Sequence, residues 1–261
     1  MAASRQAVIG VLGGMGPYAG LDLVQKVFDE TKAGTDQEHL PVALLSYSHR
    51  IQDRSEYIFG RASENPALAI ANVARDLDRL GARVAGIPCN SAHAPPIFDV
   101  LCNDLRRSRH EIRILHMIRE TVSYARRAKP NLRRIGPIST FAVHSLGLYR
   151  DAIEMEGIEA VLPDKNVAKD LVNRAIFDPN FGIKSHSHPV TGKARSLVLK
   201  AIDHLRDRGA EAVILGCTEL PLAVTESTRD GIILIDATRA LARALIRETY
   251  PDKLAPLRGS L

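Results

Sequence analysis

Asp76–Ser91 reads DLDRLGARVAGIPCNS, and His204–Glu219 reads HLRDRGAEAVILGCTE. The two stretches are copies of one unit: a charged helical turn, a Gly-Ala stop, an apolar run and a cysteine. Cys89 and Cys217 each stand eight residues beyond the glycine of that stop, Gly81 and Gly209. A small hydroxyl residue follows close behind in both, Ser91 and Thr218. An apolar run of this size after a helix stop reads as a buried strand. Each copy therefore places a cysteine at the carboxyl end of a strand, where open α/β sheets bind their ligands.

The same alternation extends through the chain. Strands are expected at Ala7–Leu12, Val42–Ser46, Arg83–Ile87, Ile112–Leu115, within Leu132–Ile138, and at Ile158–Leu162, Ala212–Leu215 and Ile232–Ile235. Helices are expected over Tyr18–Glu30, Pro66–Leu80, about Ile118–Ala128, Leu146–Glu156, Ala194–Arg208 and Thr238–Tyr250. Strands alternating with helices indicate βαβ units and mainly parallel sheets. The duplication makes this an α/β protein of two similar, pseudo-symmetric halves, residues 1–114 with 228–261 and residues 115–227. The strand near Ile112 leads into the second half and the strand near Ile232 returns the chain to the first. The last helix is then expected on the first half, with a frayed tail after Pro251. Halves facing one another would aim both cysteines at one cleft.

Composition narrows the class. With 261 residues, 45% apolar and 25% charged, the chain is ordinary globular material, long enough for two cores. No apolar run approaches the roughly 20 residues that span a bilayer, and the first residues do not read as a secretory signal. A cytoplasmic location with no membrane partner is expected. Three cysteines are too few for a disulfide framework, so each is a buried small residue, a metal ligand or a nucleophile. The net charge is only +5. The densest basic patches, Arg106–His110, Arg126–Lys129 and Arg133-Arg134, have no aromatic residues between them. They read as solvated helix faces, and no nucleic-acid partner is expected.

Two strand-end cysteines can be packing residues, but their matched places in a duplicated unit favour a shared task. Cys102 has no mate and reads as structural. Taking a proton from a carbon and returning it on the opposite face needs one basic and one acidic group at the same time. Two thiols serve if one is held as thiolate. A free thiol ionises near about 8.5, lower beside cations or helix N-termini. Both cysteines lead toward expected helix starts, which favours the thiolate. The two would titrate as a coupled pair.

Four segments carry a resemblance to a known family: Gly10–Pro17 (GVLGGMGP), Asp53–Ile58 (DRSEYI), Ile87–His93 (IPCNSAH) and Leu215–Pro221 (LGCTELP). They run in family order over nearly the whole chain, and the chain resembles the aspartate/glutamate racemase family in its aspartate racemase branch. The resemblance implies two similar α/β halves with the active site in the cleft between them. It implies an isomerase that needs no PLP, metal or nucleotide, and a homodimer acting on a small amino acid. It makes Cys89 and Cys217 the catalytic acid–bases, Cys89 on the D face and Cys217 on the L face. Substrate contacts map onto Met15, Arg54, Asn90, Ser91, Thr140 and Thr218. Lys184 looks like the lysine placed near the side-chain carboxylate in the aspartate racemase branch. A glycine-rich turn at a helix start, a bidentate Arg and a point-charge Lys suit a dicarboxylate.

Other features stay open. His93 follows Cys89 by four residues and can hold zinc with it, tune it or pack locally. Asp53 and Glu219 can orient Arg54 and His93. Asp178–Thr191, with His186 and His188, can be a lid or an exposed loop. Where the family has Leu-Ala-Thr-x-Gly-Thr, this chain has Ile138-Ser139-Thr140-Phe141-Ala142-Val143, and Leu146 replaces a serine. If that turn touches a carboxylate, one polar contact is lost, which leaves the substrate open among aspartate, glutamate and less polar amino acids. A related isomerase or decarboxylase of dicarboxylates would fit the same scaffold, as would a non-catalytic amino-acid-binding protein. A dinucleotide enzyme fits less well. The glycine-rich turn is out of the G-x-G-x-x-G register, and Val42–Ser46 does not end in an acidic residue.

Overall fold

A computed structural model describes residues 7–257. The chain divides into two compact units. The first comprises the described residues up to Pro88, then Pro95–His116 and Leu241–Pro256; the second comprises Cys89–Ala94 and Met117–Ala240.

The first unit runs β1 (Val8–Gly13), α1 (Pro17–Asp29), β2 (Val42–Ser46), α2 (Arg54–Ile58), α3 (Pro66–Arg79), β3 (Ala82–Gly86), α4 (Pro95–Arg107) and β4 (Arg113–Leu115). Its four strands are all parallel, in the order β2-β1-β3-β4. β1 is buried almost throughout, as a parallel strand covered on both faces should be. α1 and α3 present Leu23, Val27, Ile70, Ala74 and Leu77, all fully buried. α3 starts where the Asn65 side chain accepts the Ala67 N–H ahead of Pro66, a capped start with proline in the first turn.

The second unit runs α5 (Met117–Ala128), β5 (Arg134–Ile138), α6 (Phe141–Ser145), α7 (Leu148–Met155), β6 (Glu159–Ala160), a π-helical stretch Val167–Asn173, α8 (Arg174–Phe177), α9 (Gly192–Asp207), β7 (Ala212–Leu215), α10 (Leu220–Ala223), β8 (Thr228–Arg229), β9 (Ile232–Asp236) and the start of α11 (Ala237–Thr249). Its sheet order is β6-β5-β7-β9-β8, parallel except for β8. Strand for strand, β6-β5-β7-β9 repeats the order β2-β1-β3-β4, so the duplicated sequence folds into a duplicated topology. Alternate residues of β7 serve opposite faces. Val213 and Leu215 join a cluster with Val198, Ile202 and Leu205 of α9. Ala212 and Ile214 join one with Ile118 and Val122 of α5 and with Val143 and Tyr149.

Two expectations change. The strand at Ile232 was assigned to the first half with 228–261, but β9 pairs with β7 of the second sheet, Ile214 opposite Ile235. The chain re-enters the first unit only at Leu241, inside α11. The tail after Pro251 is tied down as far as Ala255. Lys32 N–H donates to the Lys253 carbonyl at 2.7 Å, Ala255 N–H to the Glu30 carbonyl at 2.9 Å, and Arg243 to the Ala255 carbonyl at 2.9 Å. Arg243 also forms a buried ion pair with Glu30.

Candidate active site

Cys217 is carried by β7. The Gly216 N–H donates to the Ile138 carbonyl at 2.7 Å and continues the β5–β7 ladder to the residue before the cysteine. No side chain larger than hydrogen fits at Gly216: a Cβ there would lie 2.5 Å from the Tyr149 ring and 3.0 Å from the Ile138 carbonyl. Beyond Cys217 the chain turns into α10 through a Leu220 N–H bond to the Cys217 carbonyl, 2.9 Å.

Cys89 leads a single 3₁₀ turn, Asn90–His93. The sequence suggested a helix start after each cysteine; each is followed by one turn only, so any dipole effect is confined to that turn. The turn is buried throughout. His93 Nδ1 donates to the Cys89 carbonyl at 3.0 Å and braces the turn from inside. Cys89 Sγ lies 3.4 Å from Ser91 Oγ. The segment Cys89–Ala94 belongs with Cys217 in the second unit, not with residues 1–114 as the sequence suggested. Part of the attachment is the Tyr149 hydroxyl, which donates to Asn90 Oδ1 at 2.6 Å. That bond fixes the Asn90 amide so that its Nδ2 group points away from Tyr149. Asn90 Nδ2 is buried and has no hydrogen-bond partner. Burial pushes the Tyr149 phenol well above its ordinary range, so it stays a donor.

Glu219 links the remaining groups. Its Oε2 accepts the Cys217 thiol at 3.0 Å and the Thr218 hydroxyl at 3.3 Å. Its Oε1 accepts a short hydrogen bond from Lys184 Nζ. Glu219 is 4% exposed and Lys184 half-buried. Burial pushes the Cys217 thiol well above the ordinary value, the Glu219 charge adds to this, and Lys184 opposes both. For Lys184, burial acts to lower the pKa, but Glu219, Cys217 and Cys89 outweigh it and the ammonium is held above its usual value. One lysine thus feels both sulfurs.

Lys184 is placed by a segment without regular structure that is nevertheless anchored. Ile183 N–H donates to the Ala175 carbonyl at 2.9 Å, Lys184 N–H to the Ile176 carbonyl at 3.0 Å, and Ile183 is fully buried. His186 and His188, farther along, are exposed.

The predicted site residues therefore fall into two groups. Cys89, Asn90, Ser91, Thr140, Lys184, Cys217 and Thr218 all lie in the second unit. Thr140 caps α6, accepting the Val143 N–H at 3.4 Å. Met15 and Arg54 lie in the first unit, where Arg54 donates to the carbonyls of Met15 at 3.2 Å and Gln52 at 3.3 Å. Both are buried. Asp53, considered as the residue that orients Arg54, caps α2 by accepting the Glu56 N–H at 2.9 Å.

The Ala142-Val143 reading changes. Val143 is 1% exposed and packed among Ile118, Tyr149 and Ile153, so its side chain belongs to the core. Ala142 lies inside a helix and needs no positive φ. Sequence reasoning missed Tyr149 as an orienting group, and it did not anticipate that Glu219 joins Cys217 to Lys184. Among the described residues no three His, Cys, Asp or Glu side chains are grouped to hold a metal ion, and no helix is long and apolar enough to cross a membrane.

Comparison with known proteins adds independent findings. The sequence model of the Asp/Glu/Hydantoin racemase family matches residues 12–245. The aspartate racemase of Picrophilus torridus superposes with a TM-score of 0.76 and 28% identity, over 93% of this chain and 94% of that one. RacX of Bacillus subtilis (strain 168), a broad specificity amino-acid racemase, is 24% identical over 253 residues, 93% of this chain and 98% of its own length. The glutamate racemase of Francisella tularensis, solved with D-glutamate, shares the fold at a TM-score of 0.63 and 16% identity, over 98% of this chain and 85% of that one.

Proposed function

The chain belongs to the Asp/Glu/Hydantoin racemase family, and on that premise we propose that it is an amino-acid racemase in which Cys89 and Cys217 exchange the Cα proton. In one direction the Cys89 thiolate takes the proton from Cα, and the Cys217 thiol delivers its own to the opposite face. The turnover ends with Cys89 as thiol and Cys217 as thiolate, the state that runs the reverse reaction. Both proton transfers are supplied by the chain's own thiols, so the step needs no PLP, metal or nucleotide.

The observation that carries this reading is that two buried, free cysteines at matching repeat positions lie in one compact unit, with Glu219 bonded to both Cys217 and Lys184. Asn90 Nδ2, held by Tyr149 and buried without a partner, is assigned as a donor to the substrate. Ser91, Thr140 and Thr218 are assigned to its polar contacts. Lys184 has three N–H donors, one of them on Glu219, and is assigned to a side-chain carboxylate. In the first unit, Met15 and the Arg54 guanidinium beside it are assigned to a carboxylate. Aspartate and glutamate are the substrates these cations suit. We assign the enzyme to the cytoplasm, as a homodimer without nucleic-acid or membrane partners.

The test is solvent exchange. The reduced protein is incubated in D₂O with single-enantiomer amino acids, aspartate and glutamate among them. NMR follows the Cα proton and chiral chromatography the enantiomers. Exchange with inversion is expected, and it should vanish in Cys89→Ala and Cys217→Ala. Retained inversion in either variant, or no exchange by the folded wild type, rejects the reading.

A further inference from the structure

The two sulfurs sit in unlike surroundings. Cys217 Sγ touches a carboxylate, Glu219 Oε2 at 3.0 Å, whereas Cys89 Sγ meets the Ser91 hydroxyl at 3.4 Å. A proton exchange between two thiols needs one thiol and one thiolate at the same moment. In equivalent surroundings the pair would lose protons over one pH range, and much of the enzyme would carry two thiols or two thiolates. Lys184 alone does not prevent this, because its positive charge favours the thiolate at both sulfurs.

We propose that Glu219 is a positioning residue that sorts the pair: held between Lys184 and Cys217, its carboxylate keeps the proton on Cys217 and leaves Cys89 as the first sulfur to ionise. The inference rests on the two-thiol reading above. Glu219 cancels the lysine charge at Cys217 and offers that thiol an acceptor for its S–H. The titratable groups around this arrangement include Lys184, Cys89, His93 on the Cys89 carbonyl, and Tyr149, which feels both Cys217 and Asp236. When Cys217 gives up its proton during turnover, Lys184 is the cation at hand for the resulting thiolate.

Enantiomers have equal free energy, so kcat/KM must be the same in both directions at every pH. The asymmetry is invisible there and has to be read from each thiol separately. The full chain, as wild type, Glu219→Gln, Glu219→Asp and Lys184→Met, is treated with iodoacetamide from about pH 6 to pH 10. Peptide mass spectrometry then gives the labelling rate of each cysteine.

In the wild type Cys89 should reach half its maximal rate at lower pH than Cys217. Glu219→Gln should move the Cys217 profile to lower pH, with labelling at fixed pH about tenfold faster, while Cys89 changes less. Glu219→Asp should keep the wild-type order. Lys184→Met should move Cys217 the opposite way, to higher pH. Simple loosening of a buried thiol would speed labelling in every variant, so shifts in the same direction overturn the proposal. A Cys217 profile unmoved in Glu219→Gln, or Cys217 ionising first in the wild type, overturns it as well. Labelling needs no substrate, so a wild type silent in D₂O exchange would defeat the racemase reading while leaving the order of ionisation to be judged on its own.

Discussion

Tyr149→Phe tests how Asn90, the donor proposed for the substrate, is held. The substitution keeps the ring, packed among Ile118, Val143 and Ile153, and removes only the hydroxyl on Asn90 Oδ1, 2.6 Å away. A buried acceptor left without its donor costs about 1–3 kcal/mol, and urea unfolding should show a loss in that range. The functional effect follows from geometry. Without Tyr149 the Asn90 amide is free to turn over and to present oxygen where Nδ2 had pointed. Losing one hydrogen bond to a charged substrate is worth about 1.5–3 kcal/mol, or about 10- to 150-fold in kcat/KM. Asn90→Ala should lose at least as much. The double variant should be no worse than Asn90→Ala alone, because Tyr149 acts on the substrate only through Asn90. The assay is racemisation followed by chiral chromatography for the four members of the cycle. If the two single losses add in the double variant, Tyr149 does not act through Asn90 and the reasoning fails.

Three other substitutions probe separate parts of the molecule. Val143→Thr should destabilise by about 1–3 kcal/mol without raising turnover, since its hydroxyl would enter an apolar cluster; unchanged stability with faster turnover of aspartate or glutamate would return this turn to the site. Glu30→Ala should cost about 3–5 kcal/mol in urea unfolding, because it leaves the Arg243 guanidinium buried without its carboxylate; a loss under about 1 kcal/mol would mean the pair does not anchor α11. Arg54→Lys should raise KM about tenfold or more with a smaller change in kcat, as a point charge replaces a guanidinium fork that can hold a carboxylate bidentately; an unchanged KM would remove Arg54 from substrate binding.

The fold was legible where burial is continuous. A parallel strand covered on both faces shows as an uninterrupted apolar run, and β1, β7 and the Ile232–Ile235 part of β9 announce themselves in that way, while in β3 the run is broken by the exposed Arg83. The repeat was legible because both copies keep the same spacing from glycine to cysteine. What an apolar run does not reveal is its partner. Ile232–Asp236 reads as a strand in any sheet, and only its register against Ala212–Leu215 assigns it to the second. β8 has two residues and no periodicity to detect.

The site divides along a similar line. Cys89 and Cys217 stand out by position within a duplicated unit, and their chemistry follows from residue type. The groups bonded around them do not stand out. Tyr149 reaches Asn90 across 59 positions and Lys184 reaches Glu219 across 35, separations that no local spacing rule covers. Sequence comparison drew attention to Ala142 and Val143, because lost hydroxyls look like lost contacts. Both side chains are buried, with Val143 in the core, and their change is a matter of packing. Glu219 sits two residues from a cysteine and is held on the thiol itself and on the lysine that feels both sulfurs. A departure from a family pattern bears on chemistry only when its side chain reaches the reacting groups. By that measure the residue beside Cys217 outweighs the altered turn.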